Sequence, residues 1–432
     1  GYSVTKISIN DKKDPSKLLA TVVVDENGYA EIAQFPNVSC TITVYWLSHE
    51  IPVNATTLTK LAPYDTTPLE IRCKLVKFNL VLLDKRPAPQ ALRNAKVKIM
   101  WPNLIEFSTR SDETYGIVQL PPLKSPEIAL TSKLMEYGAG GYLPFGDTKI
   151  AVYWSITPED PASWVKVREA VITVTNDTQG NLVVKVDGEE VSDEDTATPK
   201  IFDYGLVCEV YDAHLTVVDL NGNPLPFATV VLEHPTGAIS MVTASPDGSL
   251  TLVQVPGGAW RISVVYKNLW LKPFGMTNVF NVSDNIYSAV QYKFGFVNAN
   301  LKMVKWASED HGIAGLNVTL SWAGNATITG ETETYEEPWR TTGKTGFANF
   351  TQIPVGVDVA IKAYTIHEDK INNYPHFAGK ANVYVGPYEN KLVLGPEDYT
   401  GVHHVYIYDF KAIFCDVTGE PLPEELPYTC LL

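Results

Sequence analysis

Basic residues, thermolabile residues and long hydrophobic runs are all scarce in this chain, and each scarcity argues against a class of protein. The formal net charge is −15 and no basic stripe is present that could neutralise phosphates, so we expect no nucleic acid partner. No apolar run approaches the ~18 residues that a transmembrane helix needs. Five Met, five Cys and seven Gln occur among 432 residues, a composition that fits a source in a hot environment.

Catalytic signatures are also missing from the sequence. It contains no G-x-S-x-G elbow, no H-E-x-x-H motif and no phosphate-binding glycine-rich loop. His403 and His404 are adjacent, but strand alternation predicts one imidazole inside and one outside, which suits neither a dyad nor a metal pair. We therefore predict that the chain is not an enzyme and has no cofactor. An active site in the glycine-rich insertion from Lys124 to Phe145 stays open as an alternative hypothesis.

What the sequence has in abundance is alternation of period two. Segments such as LTVVDL, ATVVLE, LTLVQV and RISVVY place apolar side chains on one face, as half-buried antiparallel strands require. Gly, Pro, Asn and Asp pairs separate these segments and favour tight turns. The pattern predicts an all-β chain built from tandem antiparallel β-sandwich domains.

An internal repeat organises the strands. The clearest copy runs from Leu215 to Tyr266, and weaker copies open at Leu301 and at Phe78, the latter with an insertion between Pro122 and Gly146. Residues 19–46 match only the second half of the repeat, and the C-terminal residues match only its first half. The sequence therefore predicts a partial module at 1–74, sandwich modules at 75–210, 211–297 and 298–409, and a partial module at 410–432.

Two explanations of the half-modules stay open. The chain, which begins at Gly1, is either a window from a longer tandem array or a subunit whose C-terminal half-module is completed by the N-terminal half-module of the next subunit. The second arrangement would be strand complementation through main-chain hydrogen bonds. A head-to-tail contact of that kind does not close, so it would produce a filament or lattice.

The segment from Leu215 to Tyr266 resembles the carboxypeptidase regulatory-like family. The residues that carry the resemblance are Pro224-Leu225, Ala228-Thr229-Val230, Asp247-Gly248, Val255-Pro256-Gly257 and Tyr266. The resemblance implies a transthyretin-like, immunoglobulin-type sandwich and says little about activity, because such modules serve many secreted proteins as spacers and adhesion elements. In composition, the whole chain also resembles surface-layer or extracellular filament proteins of hyperthermophilic archaea.

Seven Asn-x-Ser/Thr sequons predict covalent N-glycans and therefore secretion, since chance would give roughly three. They lie at Asn37, Asn54, Asn176, Asn281, Asn317, Asn325 and Asn349.

The five cysteines show no spacing typical of zinc sites. We predict that Cys40 and Cys73 form a bridge closing the first module and that Cys415 pairs with Cys430, which leaves Cys208 free. Other pairings of five cysteines stay open.

An acidic run and the tryptophans are the remaining candidate binding groups. The run could bind Ca²⁺, but it lacks the order of a dedicated calcium loop, and a solvated acidic hairpin is the favoured interpretation. Its carboxylates are Asp187, Glu189, Glu190, Asp193, Glu194 and Asp195. The tryptophans could line a sugar-binding face, but alternation favours a core role for Trp101, Trp154, Trp260 and Trp322.

These observations predict a structural protein at a cell surface, whose partners are copies of itself and its own N-glycans. It would be a subunit or segment of an archaeal surface layer or extracellular filament. The alternative is a non-catalytic glycan- or peptide-binding adhesion region of a larger secreted protein.

Overall fold

The computed structural model describes most of the chain. Within them the chain is β-structure throughout, apart from a single 3-10 turn at Pro161–Ser163, which confirms the predicted all-β fold. The described residues are 6–24, 29–32, 35, 38–46, 51–58, 69–102, 106–120, 141–191, 201–305, 311–325, 333–365, 388–405, 418 and 420–421.

The first strands form one antiparallel sheet, which we call unit 1. Its strand order is β2-β1-β3-β4. Burial alternates along β3, so that Cys40, Ile42 and Val44 face the core while the residues between them do not. The strands are β1 (Lys6–Asp11), β2 (Leu18–Val23), β3 (Cys40–Trp46) and β4 (Ile51–Leu58).

Unit 2 is a sandwich of a larger and a smaller sheet, with orders β12-β11-β10-β9-β6-β7 and β13-β5-β8. Buried side chains of both sheets, including Leu80 on β5 and Ile150 on β9, belong to one core. The strands are β5 (Leu75–Leu83), β6 (Lys96–Met100), β7 (Glu106–Arg110), β8 (Gly141–Pro144), β9 (Gly146–Trp154), β10 (Val165–Asn176), β11 (Leu182–Val186), β12 (Glu189–Glu190) and β13 (Ile201–Val207).

Unit 3 repeats this sandwich, with sheets β17-β14-β21 and β16-β15-β18-β19, the last joined by β20 on β18. The predicted Asp247-Gly248 turn is present: the Asp247 carboxylate accepts the Ser249 N–H (3.0 Å), and Gly248 has φ +71°. The strands are β14 (Val210–Val218), β15 (Thr229–Glu233), β16 (Ile239–Thr243), β17 (Ser249–Pro256), β18 (Gly258–Tyr266), β19 (Leu269–Leu271), β20 (Val279–Val282) and β21 (Ile286–Lys293).

Unit 4 has the same arrangement, with sheets β26-β22-β29 and β24-β23-β27-β28, the last joined by β25 on β23. The strands are β22 (Phe296–Lys305), β23 (Leu316–Ala323), β24 (Thr334–Glu336), β25 (Arg340–Thr341), β26 (Phe347–Pro354), β27 (Asp358–Thr365), β28 (Tyr388–Val393) and β29 (Tyr399–Val405).

One parallel strand pair recurs among otherwise antiparallel ladders. The first strand of units 2, 3 and 4 pairs in parallel with the last strand of the same unit, as β5 with β13, β14 with β21 and β22 with β29. The first and last strands of a unit are therefore neighbours in its smaller sheet. In units 2 and 3 the last strand is followed at once by the next unit, so the chain enters and leaves each of these two units through the same sheet.

The insertion in unit 2 ends earlier than the sequence indicates. Ile117 pairs with Val81, and the pairing of β8 with β5 then resumes at Gly141. In unit 3 the corresponding partner of the first strand is the continuous β17. The insertion therefore divides one strand, and Gly141–Pro144, which the sequence assigned to the insertion, belongs to the sheet.

Candidate functional site at the unit junctions

Successive sandwiches are joined by connectors of only two residues. Residues 208–209 link β13 to β14, and residues 294–295 link β21 to β22. We call these places junction 2/3 and junction 3/4. Each connector runs from the last strand of one unit into the first strand of the next, so strand geometry on both sides restricts how the two units are placed.

The same backbone hydrogen bonds flank both connectors. The first connector residue donates its N–H to a carbonyl at the end of the preceding unit's first strand. A residue in the loop after that strand donates its N–H to the first carbonyl of the next unit's first strand. The four bonds are Cys208 N to Leu83 O (2.8 Å), Lys85 N to Val210 O (2.9 Å), Phe294 N to Val218 O (2.9 Å) and Leu220 N to Phe296 O (3.1 Å).

Junction 2/3 holds a buried ionic cluster. Asp84, whose side chain is 0% exposed, lies 2.6 Å from Arg86 Nη2. Arg86 Nη1 reaches across to Asp212 of unit 3 at 3.1 Å. Gln254 of unit 3 reaches back, donating from Nε2 to Asp84 Oδ2 (2.9 Å) and to the Ala91 carbonyl (3.2 Å). Both units therefore supply polar groups to one cluster.

Two opposing influences set the charge state of Asp84. Burial would raise its pKa, but hydrogen bonds from Arg86, Gln90 and Gln254 outweigh that and hold the pKa below its ordinary value. Asp84 is therefore an anion at neutral pH, and its charge is balanced by the Arg86 guanidinium.

Junction 3/4 holds a different ion pair. Lys267 lies in the left-handed turn after β18 (φ +48°), and its Nζ is 2.5 Å from Oε1 of Glu337 in unit 4. Both side chains are buried, at 11% and 7% exposure. Lys267 Nζ also donates to the carbonyls of Thr351 and Gln352, at 3.0 Å each. Burial lowers the pKa of Lys267, and Glu337 partly opposes that shift.

Gln254 and Gln352 make equivalent contacts across their junctions. Both have left-handed backbones, with φ +59° and +56°. Gln352 Nε2 donates to the Pro224 carbonyl of unit 3 (2.5 Å), as Gln254 donates to the Ala91 carbonyl of unit 2. The two acceptors are themselves equivalent, because Ala91 bridges Leu83 and Pro224 bridges Val218 at the ends of the first strands.

At each junction, a residue that ends a strand in the larger sheet of the preceding unit binds the equivalent glutamine of the next unit. Trp154 Nε1 donates to the Gln254 carbonyl (2.7 Å), and the Tyr266 hydroxyl donates to Gln352 Oε1 (2.7 Å). Trp154 ends β9 and Tyr266 ends β18. Trp154 is thus half-buried at a junction rather than in a core, whereas Trp101, Trp260 and Trp322 are core residues as predicted.

Sequence reasoning missed these glutamines, although a signal was present. Gln254 and Gln352 each precede an apolar residue and a proline, in QVP and QIP. Gln119 stands in a similar QLP segment but donates no bond of this kind: its N–H bonds to Arg110 O within unit 2. The register of β8 instead places Pro144 opposite Leu75, as Pro256 lies opposite Val210, so Tyr142 takes the position of Gln254.

Apolar packing also continues through the junctions. One cluster of buried residues includes Leu215 and Trp260 of unit 3 together with Leu301 and Leu320 of unit 4. A second cluster joins Trp46 of unit 1 to unit 2. The Trp46 and Trp101 rings meet edge to face, with centroids 5.2 Å apart. Cores shared between units oppose free rotation about the connectors.

The sequons are found in three kinds of surroundings. Asn176, Asn281 and Asn349 are exposed, and Asn317 is half-buried with its Oδ1 accepting from Thr341. Asn325 is exposed but accepts the Trp270 N–H (2.6 Å), and so contributes to junction 3/4. Asn54 lies on β4 and its side chain is not described, while Asn37 lies outside the described residues.

The described members of the acidic run, which were weak calcium candidates, do not belong to any group of three or more possible metal ligands among the described residues. Asp187 accepts hydrogen bonds from Arg168 Nη2 (2.5 Å) and the Val171 N–H (2.8 Å), so a cationic side chain already balances its charge. Glu189 and Glu190 are exposed neighbours on β12. Asp193, Glu194 and Asp195 lie outside the described residues.

The described cysteines are all thiols. Cys40 and Cys208 are buried, Cys73 is half-buried, and no bridge joins Cys40 to Cys73 in this structure. Burial raises the pKa of Cys208 to about 12, so its thiol stays protonated. Cys415 and Cys430 lie outside the described residues.

The histidine pair follows the predicted alternation: His403 is buried and His404 is half-buried. The Tyr399 hydroxyl lies 3.4 Å from His403 Nε2. In the part of the chain that the structure covers, no helix is long and apolar enough to cross a bilayer.

Comparison with known proteins gives no family assignment. No family model matches the chain, and no curated protein matches it. Among solved structures, the Bacillus anthracis TIE protein is similar at 14% identity over 94% of this chain and 69% of that chain, with a TM-score of 0.20. A streptococcal ancillary pilin is similar at 10% identity over 76% of this chain and 98% of that chain, with a TM-score of 0.21.

BcpA, the major pilin subunit of Bacillus cereus, is also similar, at 10% identity over 77% of this chain and 99% of that chain, with a TM-score of 0.18. TM-scores of this size carry no argument about function. The fold described above therefore stands on the strand pairing of this chain.

Proposed function

We propose that this chain is an extracellular structural protein that forms a stiff rod of β-sandwich units at a cell surface. The observation that carries the proposal is the repeated junction: two successive pairs of units are joined by a two-residue connector, equivalent backbone bonds and an equivalent glutamine contact. Inter-domain interfaces of ordinary multidomain proteins permit relative motion by default. A repeated, buried junction is instead what a rod of fixed geometry requires.

The proposal extends to self-assembly. The half-module sequences at residues 19–46 and 410–432 support completion of one subunit by the next through strand complementation. The polymer would be a filament or a surface layer of a hyperthermophilic archaeon, with N-glycans on exposed sequons such as Asn176, Asn281 and Asn349. It would have no catalytic role.

Electron microscopy of the native material tests this function. Periodic fibres or sheets are expected, and deglycosylation should lower the intact mass. A population of single particles that bend at the junctions and never associate at high concentration would contradict both the rod and the polymer.

A second candidate, adhesion, is favoured by one residue. Phe227 is 65% exposed and has a left-handed backbone (φ +58°), a conformation that bulky residues rarely adopt. Strained exposed aromatics are more typical of contact surfaces than of solvated loops. A glycan or peptide array probed with the purified chain would identify a ligand that Phe227→Asn no longer binds.

A further inference from the structure

The parallel pairing of first and last strands determines how each unit would respond to tension along the chain. Unit 3 is attached to unit 2 at the start of β14 and to unit 4 at the end of β21. Because β14 and β21 are parallel, these two attachment points lie at opposite ends of their ladder. Units 2 and 4 have the same arrangement through β5 with β13 and β22 with β29.

Tension applied through these points pulls the two strands lengthwise past each other. In that direction the hydrogen bonds between the strands are loaded together, whereas strands pulled apart from one end lose their bonds one at a time. The connectors cannot absorb the extension, because two residues span at most about 7 Å. Force on one unit therefore passes directly to the strand pair of the next.

We infer that the parallel pair of terminal strands is a load-bearing clamp in each of units 2, 3 and 4, and that the chain transmits tension along its length. The inference deepens the proposed structural function by naming the element that resists force. It does not require that the chain polymerise, since it concerns single units.

The clamps are not equal. All seven residues of β13 pair in unbroken register with β5, from Ile201 with Lys77 to Val207 with Leu83. All seven residues of β29 likewise pair with β22. In unit 3 the ladder is interrupted: Ala213 pairs with Ile286, and the next pair is Leu215 with Val290. Unit 3 therefore has the weakest clamp.

Single-molecule force spectroscopy on the full chain tests the inference by changing only the direction of pulling. Handles attached through Glu209→Cys and Lys293→Cys load opposite ends of the β14–β21 ladder. Handles attached through Glu209→Cys and Asp284→Cys load the same end, just before β14 and β21 begin. All three positions are exposed, and native Cys40 and Cys208 are buried; Cys73→Ser removes the half-buried thiol, and Cys415→Ser and Cys430→Ser remove the two remaining cysteines.

The first geometry should rupture unit 3 at a several-fold higher force than the second, at the same pulling speed and on a protein of the same stability. Equal rupture forces would overturn the inference. With the whole chain pulled from its ends, the extension released identifies each unit, because units 2, 3 and 4 differ in length. Among these three units, unit 3 should open at the lowest force, and its opening after either of the others would also overturn the inference.

The two proposals fail in different ways. A chain that never forms fibres but shows the directional difference would support the clamp and contradict the polymer. Fibres built from units that rupture at the same force in both pulling directions would support the polymer and contradict the clamp.

Discussion

Junction 2/3 and junction 3/4 have the same backbone contacts but bury different charged groups. In junction 2/3 an arginine bridges two aspartates, Asp84 of its own unit and Asp212 of the next unit. In junction 3/4 a lysine from the turn after β18 pairs with Glu337, which lies near the end of β24. The position of Asp212 is taken there by Asn298, whose N–H bonds to Asp398.

The difference separates what places the units from what stabilises the interface. The backbone bonds and the left-handed glutamine, with its bond to a carbonyl of the preceding unit, occur in both junctions although the charged groups beside them differ. The ion pairs differ in residue type and in location, although the preceding unit supplies the cation in both. The geometry of the rod is therefore set by the shared contacts, while each junction has its own electrostatic stabilisation.

The largest effect is expected from Lys267→Ala. It leaves Glu337 as a buried carboxylate without its cation, and breaking a buried pair in this way costs about 3–5 kcal/mol. Urea denaturation of the full chain, followed by hydrogen exchange of residues 294–295, should register the loss in units 3 and 4.

The matched control for this change is the double variant Lys267→Met with Glu337→Leu. It removes both charges and fills the space, so most of the stability should return. A loss below about 1 kcal/mol for Lys267→Ala would mean that the pair behaves as a surface salt bridge.

The next largest effect is expected from Asp84→Asn in junction 2/3. The shape is kept but the charge-assisted bonds to Arg86 are weakened, at a cost of about 1.5–3 kcal/mol. Asp219→Asn is the control: Asp219 is equally buried at the equivalent position, but its Oδ1 accepts from the N–H groups of Asn221 and Asn223. Urea denaturation at neutral pH should show a smaller loss for the control.

Acid titration sharpens the same comparison. Because the pKa of Asp84 is lowered in the folded state, its contribution is fully present above the unfolded pKa of about 3.9 and is lost as the pH falls through the folded value. The stability difference between wild type and Asp84→Asn should therefore vanish in acid. A difference that persists below pH 2 would assign the effect to packing.

A smaller effect, present at both junctions, is expected from Gln254→Ala and Gln352→Ala. Each leaves a carbonyl of the preceding unit without its amide donor, at a cost of about 1–2 kcal/mol. Limited proteolysis at the connectors and small-angle scattering should both detect the loosened units. Gln291→Ala, on an exposed position of β21, is the matched control and should change neither measurement.

If only one of the two variants loosens its junction, the shared contact is not what sets the rod geometry, and the ion pair of the other junction would take that role.

The strands and the repeat were predictable because both are local. Alternation in LTVVDL and RISVVY identifies β14 and β18, and the matching Asp84 and Asp219 mark the loops that end the first strands. The junction was not predictable, because its contacts join distant positions. Lys267 and Glu337 are 70 residues apart, and nothing in either segment indicates the other.

The insertion in unit 2 shows why a motif alone would misplace the strand. Gln119-Leu120-Pro121 has the same pattern as Gln254-Val255-Pro256, but which segment continues the sheet is decided by its partner, β5. Strand register depends on that partner along the whole ladder, so two candidate segments cannot be ranked by their own sequence.

The smallest expected effect has the opposite sign and concerns Phe227. Its position is three residues after Pro224, which bridges Val218, and the equivalent residues after Ala91 and Gly312 are Asn94 (φ +62°) and Gly315 (φ +76°). Asn and Gly adopt this conformation readily, whereas a bulky side chain is strained there. Phe227→Asn should therefore raise the stability of unit 3 by about 0.5–1 kcal/mol.

The reciprocal variant Asn94→Phe should lower the stability of unit 2 by a similar amount, measured by urea denaturation of the same full chain. If Phe227→Asn is instead destabilising, the exposed ring packs more favourably than its 65% exposure indicates. If both variants behave as expected, Phe227 lowers the stability of unit 3, whose terminal strand pairing is already interrupted. Such a cost at an exposed aromatic favours a contact made by Phe227 outside this chain over a role in its fold.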